Sequence, residues 1–481
     1  MDSGVISMTD DQPINQPKKT LKRVKTGSFE RRFSMAKAGF VASTRLAAKS
    51  AGNMFNSKEK REERQKEILS QQAYYLAEEI GKLKGSIVKI GQMMALYGEH
   101  FLPVEVTEAL HTLEDDTAAL EWTSIYEALE DALGPDTLAK LEIDEDPIGC
   151  ASIGQVHRAT IKETGEQICL KIQYPGVAEA VDSDLNAVET LVRVAKIVPV
   201  TEEFSQWFDE IREMMYREVD YVHELQKTHE FYERLKDDPR YIVPKVYPEF
   251  SSDKVIATKY EPGVNIDSDI TMNLSQERRN AICEAALDLC WREVFEWGEM
   301  QTDPNFGNYF VRLGDGDRVP DKIVLLDFGA VRAFSESTIG PGRRIVAAAF
   351  HHDEELLFSA LQEMRFFRDP NTSLDAKRGL SKLCFMAIEP FTDIEKHPPP
   401  AFLLSPEGEY CWGESDLPAR LSLQAGLSAA NRYFTVPPRE MMFLVRKIMG
   451  AYTFMSVLSA KIKGYGIIEP YVAKMKPKST S

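Results

Sequence analysis

The sequence predicts an α+β chain in which two β-hairpins sit among long amphipathic helices and a mostly helical C-terminal third follows. Three observations carry that reading. An apolar stripe recurs at helical spacing over residues 76–97. Short apolar runs flank turn-forming residues at 153–173 and 308–329. Residues 333–481 read as helix, interrupted at Pro390, Pro398–Pro400 and Pro437–Pro438. A chain of 481 residues has room for about three domain-sized units, or fewer large ones. With 43% hydrophobic and 28% charged residues, it is neither wholly disordered, collagen-like nor a disulfide-stapled mini-protein.

The first 27 residues are polar, contain Pro13 and Pro17, and are expected to be disordered. The net charge of −17 argues against nucleic acid as a partner. That average hides a split, because residues 18–49 hold ten Lys/Arg and one acid. With Phe29, Phe33, Phe40 and Leu46 interleaved, this arm reads either as a solvated tail or as a basic amphipathic segment for an anionic bilayer. The six cysteines form no CxxC pair, which suits scattered thiols in a reducing compartment. No apolar run reaches eighteen residues. Met441–Ala460 comes closest, but Arg446 and Lys447 interrupt it, so no transmembrane helix is expected, and the acidic start carries no signal-peptide pattern.

Leu76, Ile80, Leu83, Ile87, Ile90, Met94 and Tyr97 recur at alternating steps of four and three, which predicts one sustained helix closed by Pro103. Lys89 and Gln92 share a face of that helix, and Gly85 and Gly91 leave room for close packing there. Taken alone, Lys89 reads as a solvated helix lysine.

The first hairpin spans about 153–173, with KETGE at 162–166 as its turn. Ile168, Leu170 and Ile172 alternate with Cys169 and Lys171, so Lys171 stands mid-strand on the face opposite the apolar side chains. Neither a Walker A sequence nor GxGxxG occurs. In its place GCASIGQVH at 149–157 precedes the strand, and its small residues, Ala151 and Ser152 among them, allow backbone N–H groups near a phosphate. Residues 203–235 read as helix, with Phe204, Phe208, Ile211, Met215, Val222, Leu225 and Tyr232 on one stripe. Glu218 falls on that stripe and needs a partner if it faces inward. By the same geometry, Glu224 points elsewhere and alone reads as a surface acid.

QTDPNFGN at 301–308 precedes the second hairpin, and Asp327-Phe-Gly329 ends it. Asp303 and Asn308 are five apart, and Asp327 follows nineteen residues later. Each motif alone is a common loop. Together, in this order, they match the layout in which one Asp positions or deprotonates an acceptor while Asn308 and Asp327 hold Mg²⁺ across a triphosphate. Hard oxygen ligands suit that ion.

The set KIGQ at 89–92, GCASIGQVH, CLKIQYPGV at 169–177, EVDY at 218–221, QTDPNFGN and LLDFGAVR at 325–332 resembles the UbiB/AarF family of atypical kinase-like proteins of ubiquinone biosynthesis. The resemblance runs over about residues 70–335. It implies a bilobal protein-kinase-like fold: a disordered or basic amphipathic arm at 1–57, a helical KxGQ extension at 58–135 (Lys89, Gly91, Gln92), an N-lobe at 136–262 and a helical C-lobe at 263–481. It further implies that the extension restricts protein substrates, that Lys89 meets the ExD motif of Glu218 and Asp220, and that Glu224 pairs with Lys171. From the residues alone, which carboxylate pairs with Lys171 stays open.

The implied cofactors are ATP and Mg²⁺. Lys171 and the Ala151–Ser152 loop would hold phosphates, and Lys259, Tyr260 and Glu261 the base. Asn308 and Asp327 would hold metal, and Asp303 would act on the acceptor. The implied partners are a nucleotide, a lipid or quinone precursor, a membrane surface and proteins of quinone biosynthesis. The implied location is cytoplasmic and peripheral to a membrane, either the bacterial inner membrane or, in a eukaryote, the mitochondrial matrix side. Gly149 and Cys150 depart from the alanine-rich family loop, and no Ala-Pro-Glu follows Asp327-Phe-Gly in register, which counts against a peptide-docking platform. A small-molecule or protein kinase outside quinone metabolism and a non-catalytic lipid chaperone are the alternatives. His351-His-Asp-Glu-Glu355 reads as helix surface rather than a metal site, and Asp315-Gly-Asp317 as a hairpin turn.

Overall fold

A computed structural model describes Thr20–Leu21 and residues 66–475, apart from 68, 72, 76, 79, 82–84, 99–101, 114–118, 196–201, 304, 317–318, 368–372 and 430–438. The basic arm lies outside the described residues except at Thr20–Leu21. Those two pair in parallel with Ala119–Leu120, so the disorder expected through residue 27 does not extend to them. The chain divides into two units, one of residues 1–226 and 245–260, the other of 227–244 and 261–481.

The first unit is built on an antiparallel sheet of β1 (Leu141–Cys150), β2 (Gly154–Ile161), β3 (Gln167–Gln173) and β4 (Val255–Lys259), in that order. The β2–β3 turn closes where Gly165 adopts φ 71° and its N–H donates to the Ile161 carbonyl at 2.8 Å, a conformation that favours glycine. Ile168, Leu170 and Ile172 are buried against Ile125, Leu129, Val255 and Ala257. Burying each is worth about 1.5–3 kcal/mol, enough to fix the register and leave Lys171 on the other face.

Two helices differ from the sequence reading. The stripe over 76–97 is buried at Ile80, Ile87, Ile90 and Met94, yet the chain is not one helix. Gly85 sits at φ 70°, ψ −146°, and α1 (Ser86–Tyr97) begins after it. Hydrophobic spacing carries across this break because both segments face the same core. α1 packs on α2 (Val177–Ala195) and α3 (Glu202–Glu218). The predicted helix 203–235 is likewise two, α3 and α4 (Tyr221–Leu235). Asp220 separates them, its carboxylate accepting the His223 N–H at 2.9 Å as a cap. Phe204, Phe208, Ile211 and Met215 are buried, but Val222, assigned to the same stripe, is 57% exposed, because α4 starts with a new phase.

In the second unit, α5 (Gln276–Arg292) runs into a π-helical turn, Glu293–Trp297, ended by left-handed Gly298. The hairpin of β5 (Tyr309–Arg312) and β6 (Lys322–Leu325) is extended by Val264–Asn265 and Tyr241–Ile242 into a four-stranded sheet. Asp315 lies in its turn and accepts the Val319 N–H at 2.8 Å. Val311, Ile323, Phe328 and Val331 join Leu287 and Trp291 in the core.

The helices beyond are α6 (Glu336–Phe350), α7 (Glu354–Glu363), α8 (Leu374–Ala387), Leu417–Ala429, α9 (Arg439–Val457) and Gly464–Val472. Among the described residues no helix is long and apolar enough to cross a membrane. Of His351–Glu355, only Glu354 and Glu355 lie on a helix surface, in the first turn of α7. His351 ends α6, His352 turns to φ 52°, and Asp353 caps α7 by accepting the Leu356 N–H at 3.0 Å. The six cysteines are free thiols.

Candidate functional site

The first unit brings two lysine–carboxylate pairs together. The Lys171 ammonium donates to both Glu224 oxygens, at 2.7 and 2.9 Å, and lies 5.3 Å from the Tyr221 ring centre. The carboxylate facing Lys171 is therefore Glu224, which is only 5% exposed and not a surface acid. The helix-face argument misplaced it because the break at Val219–Asp220 resets the phase of α4. Glu218 instead pairs with Lys89 at 2.7 Å, α3 to α1. Gly91 lets α1 approach its neighbour closely, since a Cβ there would collide with Leu113. Gln92 donates to the Leu113 carbonyl at 3.0 Å.

Around the phosphate-loop candidates, the Ala151 N–H is used by the Gly154 carbonyl at 2.8 Å, so the loop is a closed turn, and Ser152 is buried. A Cβ on Gly154 would come within 2.5 Å of the Ile172 carbonyl oxygen, so this close backbone approach requires glycine. Lys259 ends β4 and is exposed. Arg158 stacks 4.4 Å from the Tyr260 ring centre and donates to its hydroxyl at 3.3 Å.

In the second unit, Gln301 joins the two acidic motifs. Its side-chain amide donates to the Asp327 carbonyl at 2.6 Å, and its side-chain oxygen accepts the Asp303 N–H at 3.1 Å. Residues Glu299–Gln301 pair antiparallel with Val331–Ala333, and the Thr302 hydroxyl donates to the Ala330 carbonyl at 2.8 Å. The Asn308 amide donates to Asp303 at 2.9 Å, which orients the Asn308 side-chain oxygen away from that contact. One Asp327 oxygen accepts the Gly329 N–H at 2.9 Å. Phe328 is buried 4.7 Å from the Phe231 ring centre, which anchors the segment that carries Asp327. Asn308 and Asp327 thus offer amide and carboxylate oxygens, a donor set that suits Mg²⁺ with phosphate completing it. No group of three His, Cys, Asp or Glu gathers around a metal position among the described residues. Glu261 is held by Arg312 at 2.5 Å.

Sequence reasoning missed the residues behind this loop. Glu293, in the π turn, is 1% exposed, accepts the Gln301 N–H at a long 3.4 Å, and forms an ion pair with Lys447 of α9. Burial disfavours the Lys447 ammonium, but the adjoining Glu293 charge, together with Tyr309, Cys290 and the hydrogen bond to Glu293, outweighs that and holds it above its ordinary range. Lys447 was visible only as an interruption in the apolar stretch of α9. It also lines a largely apolar cavity behind Asp303, with Leu289, Phe306, Tyr309 and Phe454.

Residues 112–361 match the ABC1 atypical kinase-like domain, just over half the chain. The chain belongs to that family. In this ABC1-family chain, the matched span contains Lys171, Glu218, Glu224, Glu293, Asp303, Asn308 and Asp327, while Lys89 and Lys447 lie outside it. The chain is similar to the Caenorhabditis elegans mitochondrial atypical kinase coq-8, at 29% identity over 80% of this chain and 49% of that one. It is also similar to zebrafish (Danio rerio) mitochondrial COQ8B, at 30% identity over 79% of this chain and 57% of that one. It is 28% identical to yeast (Saccharomyces cerevisiae) mitochondrial COQ8 over 80% of this chain and 73% of that one. The chain thus spans about half the length of the first two relatives. A Mycobacterium tuberculosis protein solved as a complex with erythromycin shares the fold, with TM-score 0.56 and 22% identity, covering 85% of this chain and 98% of that one.

Proposed function

We propose that this ABC1-family chain is an ATP- and Mg²⁺-dependent kinase or ATPase that supports ubiquinone or other isoprenoid-lipid biosynthesis at a membrane. The observation that carries the chemistry is the frame around Gln301, which binds the backbones of the Asp303 and Asp327 motifs at once. Asn308 and Asp327 would hold Mg²⁺, which when bound neutralises charge on the transferred phosphoryl group. Lys171, held by Glu224, would contact the α- and β-phosphates. Asp303 accepts the Asn308 amide and so keeps a carboxylate oriented for the acceptor hydroxyl or a water. Most of the rate enhancement comes from positioning and charge neutralisation.

The pathway and the membrane rest on the family resemblance, and the named relatives are mitochondrial atypical kinases. Lys89 with Gly91 and Gln92 forms the KxGQ motif of the proposed extension, and its ion pair with Glu218 of the ExD motif supports that reading. Ala151, Ser152, Lys259, Tyr260 and Glu261 are the proposed nucleotide contacts. A thermal-shift titration with ATP tests the reading. Stabilisation that requires Mg²⁺ and is lost in Asp327→Asn supports it, and no nucleotide response with intact Mg²⁺ overturns it. Quinone profiling of a deletion strain rescued with wild type or Asp327→Asn tests the pathway.

A further inference from the structure

The link between α6 and α7 carries three unusual features at one residue. His352 holds a left-handed backbone, φ 52°, that non-glycine residues adopt only when the surrounding structure imposes it. Its ring is stacked between Phe385, 4.7 Å away, and His397, 3.5 Å away and tilted by only 16°. Its Nε2 is buried and has no hydrogen-bond partner. A buried nitrogen without a partner is costly unless something completes it.

The ring forms part of the wall of an open pocket of about 460 Å³ in the second unit, a volume typical of small-molecule sites. Arg378 and Lys382, four residues apart on one side of α8, line the same pocket. Neither makes a hydrogen bond or ion pair among the described residues. The nearby acids are mostly satisfied. Glu389 is clasped by Arg420 at 2.8 Å and by the Tyr410 hydroxyl at 2.8 Å. Asp393 is paired with Lys396 at 2.7 Å, and Asp353 caps α7. Glu354, in the first turn of α7, is the remaining acid on the lining. Among the described residues, two cations without an ion pair thus share the lining with one such acid, beside the stacked rings of His352 and His397.

We propose that this pocket is a second ligand site that binds a multivalent phosphate-bearing anion on Arg378 and Lys382. The guanidinium supplies a planar fork and the ammonium a point charge, the pair of shapes that suits phosphate oxygens. Phe385, Met386 and Pro398 line the rest of the pocket and leave room for an apolar or planar body attached to the phosphate. His352, held below its ordinary pKa by burial and by His397, gains a proton when an anion arrives, and its orphan nitrogen then donates. The same chemistry fits a phosphorylated metabolite or a phospholipid headgroup.

The site is separate from the proposed catalytic residues, so its test does not depend on turnover. Inorganic pyrophosphate is titrated calorimetrically into the full chain without Mg²⁺, where the Asn308–Asp327 pair lacks its ion. Binding is expected to weaken at least about tenfold in Arg378→Ala/Lys382→Ala. It is also expected to tighten from about pH 8 to about pH 6, and His352→Gln should flatten that dependence. The thermal midpoint of each variant is read alongside, and ATP turnover should remain that of wild type. Co-sedimentation with phosphatidic acid vesicles against phosphatidylcholine vesicles separates the sources. Pelleting that the double substitution abolishes assigns a lipid headgroup, whereas pyrophosphate binding with unchanged pelleting assigns a soluble ligand. No pyrophosphate binding, or equal affinity in folded wild type and double variant, overturns the proposal.

Discussion

Replacing Lys447 by methionine should uncouple α9 from the loop that carries Asp303. Lys447 and Glu293 form a buried ion pair, with Glu293 1% exposed and its backbone in the π turn beside Gln301. Removing one member of such a pair leaves an uncompensated buried charge, which costs about 3–5 kcal/mol. For a unit of this size, about 2–4 °C of melting temperature follows each kcal/mol, so the midpoint should fall on the order of 10 °C. Burial already pushes the Glu293 carboxyl above its ordinary range against the pull of Lys447, and the substitution removes that pull. A carboxyl whose folded pKa is raised contributes stability below its unfolded value and loses it as pH rises. The deficit of Lys447→Met should therefore be small near pH 4 and grow towards neutrality. The double variant Glu293→Gln/Lys447→Met removes both charges and should recover most of the midpoint. Differential scanning fluorimetry across pH, with ATP turnover beside it, reads all of this. A deficit below about 1 kcal/mol, or one that does not change with pH, would refute the buried-pair reasoning.

Glu224→Gln, which keeps volume but weakens the grip on Lys171, should lower ATP turnover at least tenfold, about 1.4 kcal/mol of barrier, while the midpoint moves little. Gly85→Ala forces a side chain into φ 70°, ψ −146° and should cost about 1–3 kcal/mol, read as a lower denaturant midpoint at constant slope. Hydrogen bonds from Arg240 hold the Asp238 carboxyl down to about 2, so this pair contributes stability above the ordinary carboxylate range that is lost as pH falls through it. Arg240→Met should move the acid-unfolding midpoint to higher pH.

The hairpins were legible because alternation and turn residues act locally: Ile168, Leu170 and Ile172 define a face, and Gly165 sits where the turn needs a left-handed residue. That Gln301 joins the Asp303 and Asp327 segments follows from motifs that flank the second hairpin at readable distances. Helix ends were not. Periodicity continues through Gly85 although the backbone does not, and the restart at Tyr221 moves Glu224 inward and Val222 outward. A hydrophobic stripe records which residues face the core, not whether one helix or two present them. Glu293 and Lys447 were unreadable for a different reason: they lie far apart in sequence, and only the tertiary fold makes them a pair. The same holds for His352, whose positive φ depends on the link between α6 and α7 rather than on its residue type alone.

The backbone of the second hairpin has a consequence for how such chains can be recognised. Tyr309 stands opposite Leu325 in the ladder, and the Leu326 N–H donates to the Asn308 carbonyl at 3.0 Å. The two ends of the hairpin are therefore fastened together at the base, and the turn at 313–321 hangs from the far end. The nineteen-residue separation of Asn308 and Asp327 is then not a chemical requirement but the contour length of a closed loop. Doubling the length of such a loop costs only about 0.6 kcal/mol in closure entropy. Insertions or deletions around Gly314–Pro320 can accumulate while Asn308 and Asp327 stay where they are. A search that demands fixed spacing between these motifs would discard true relatives, whereas one that allows the turn to vary and holds the strand pairing constant would keep them.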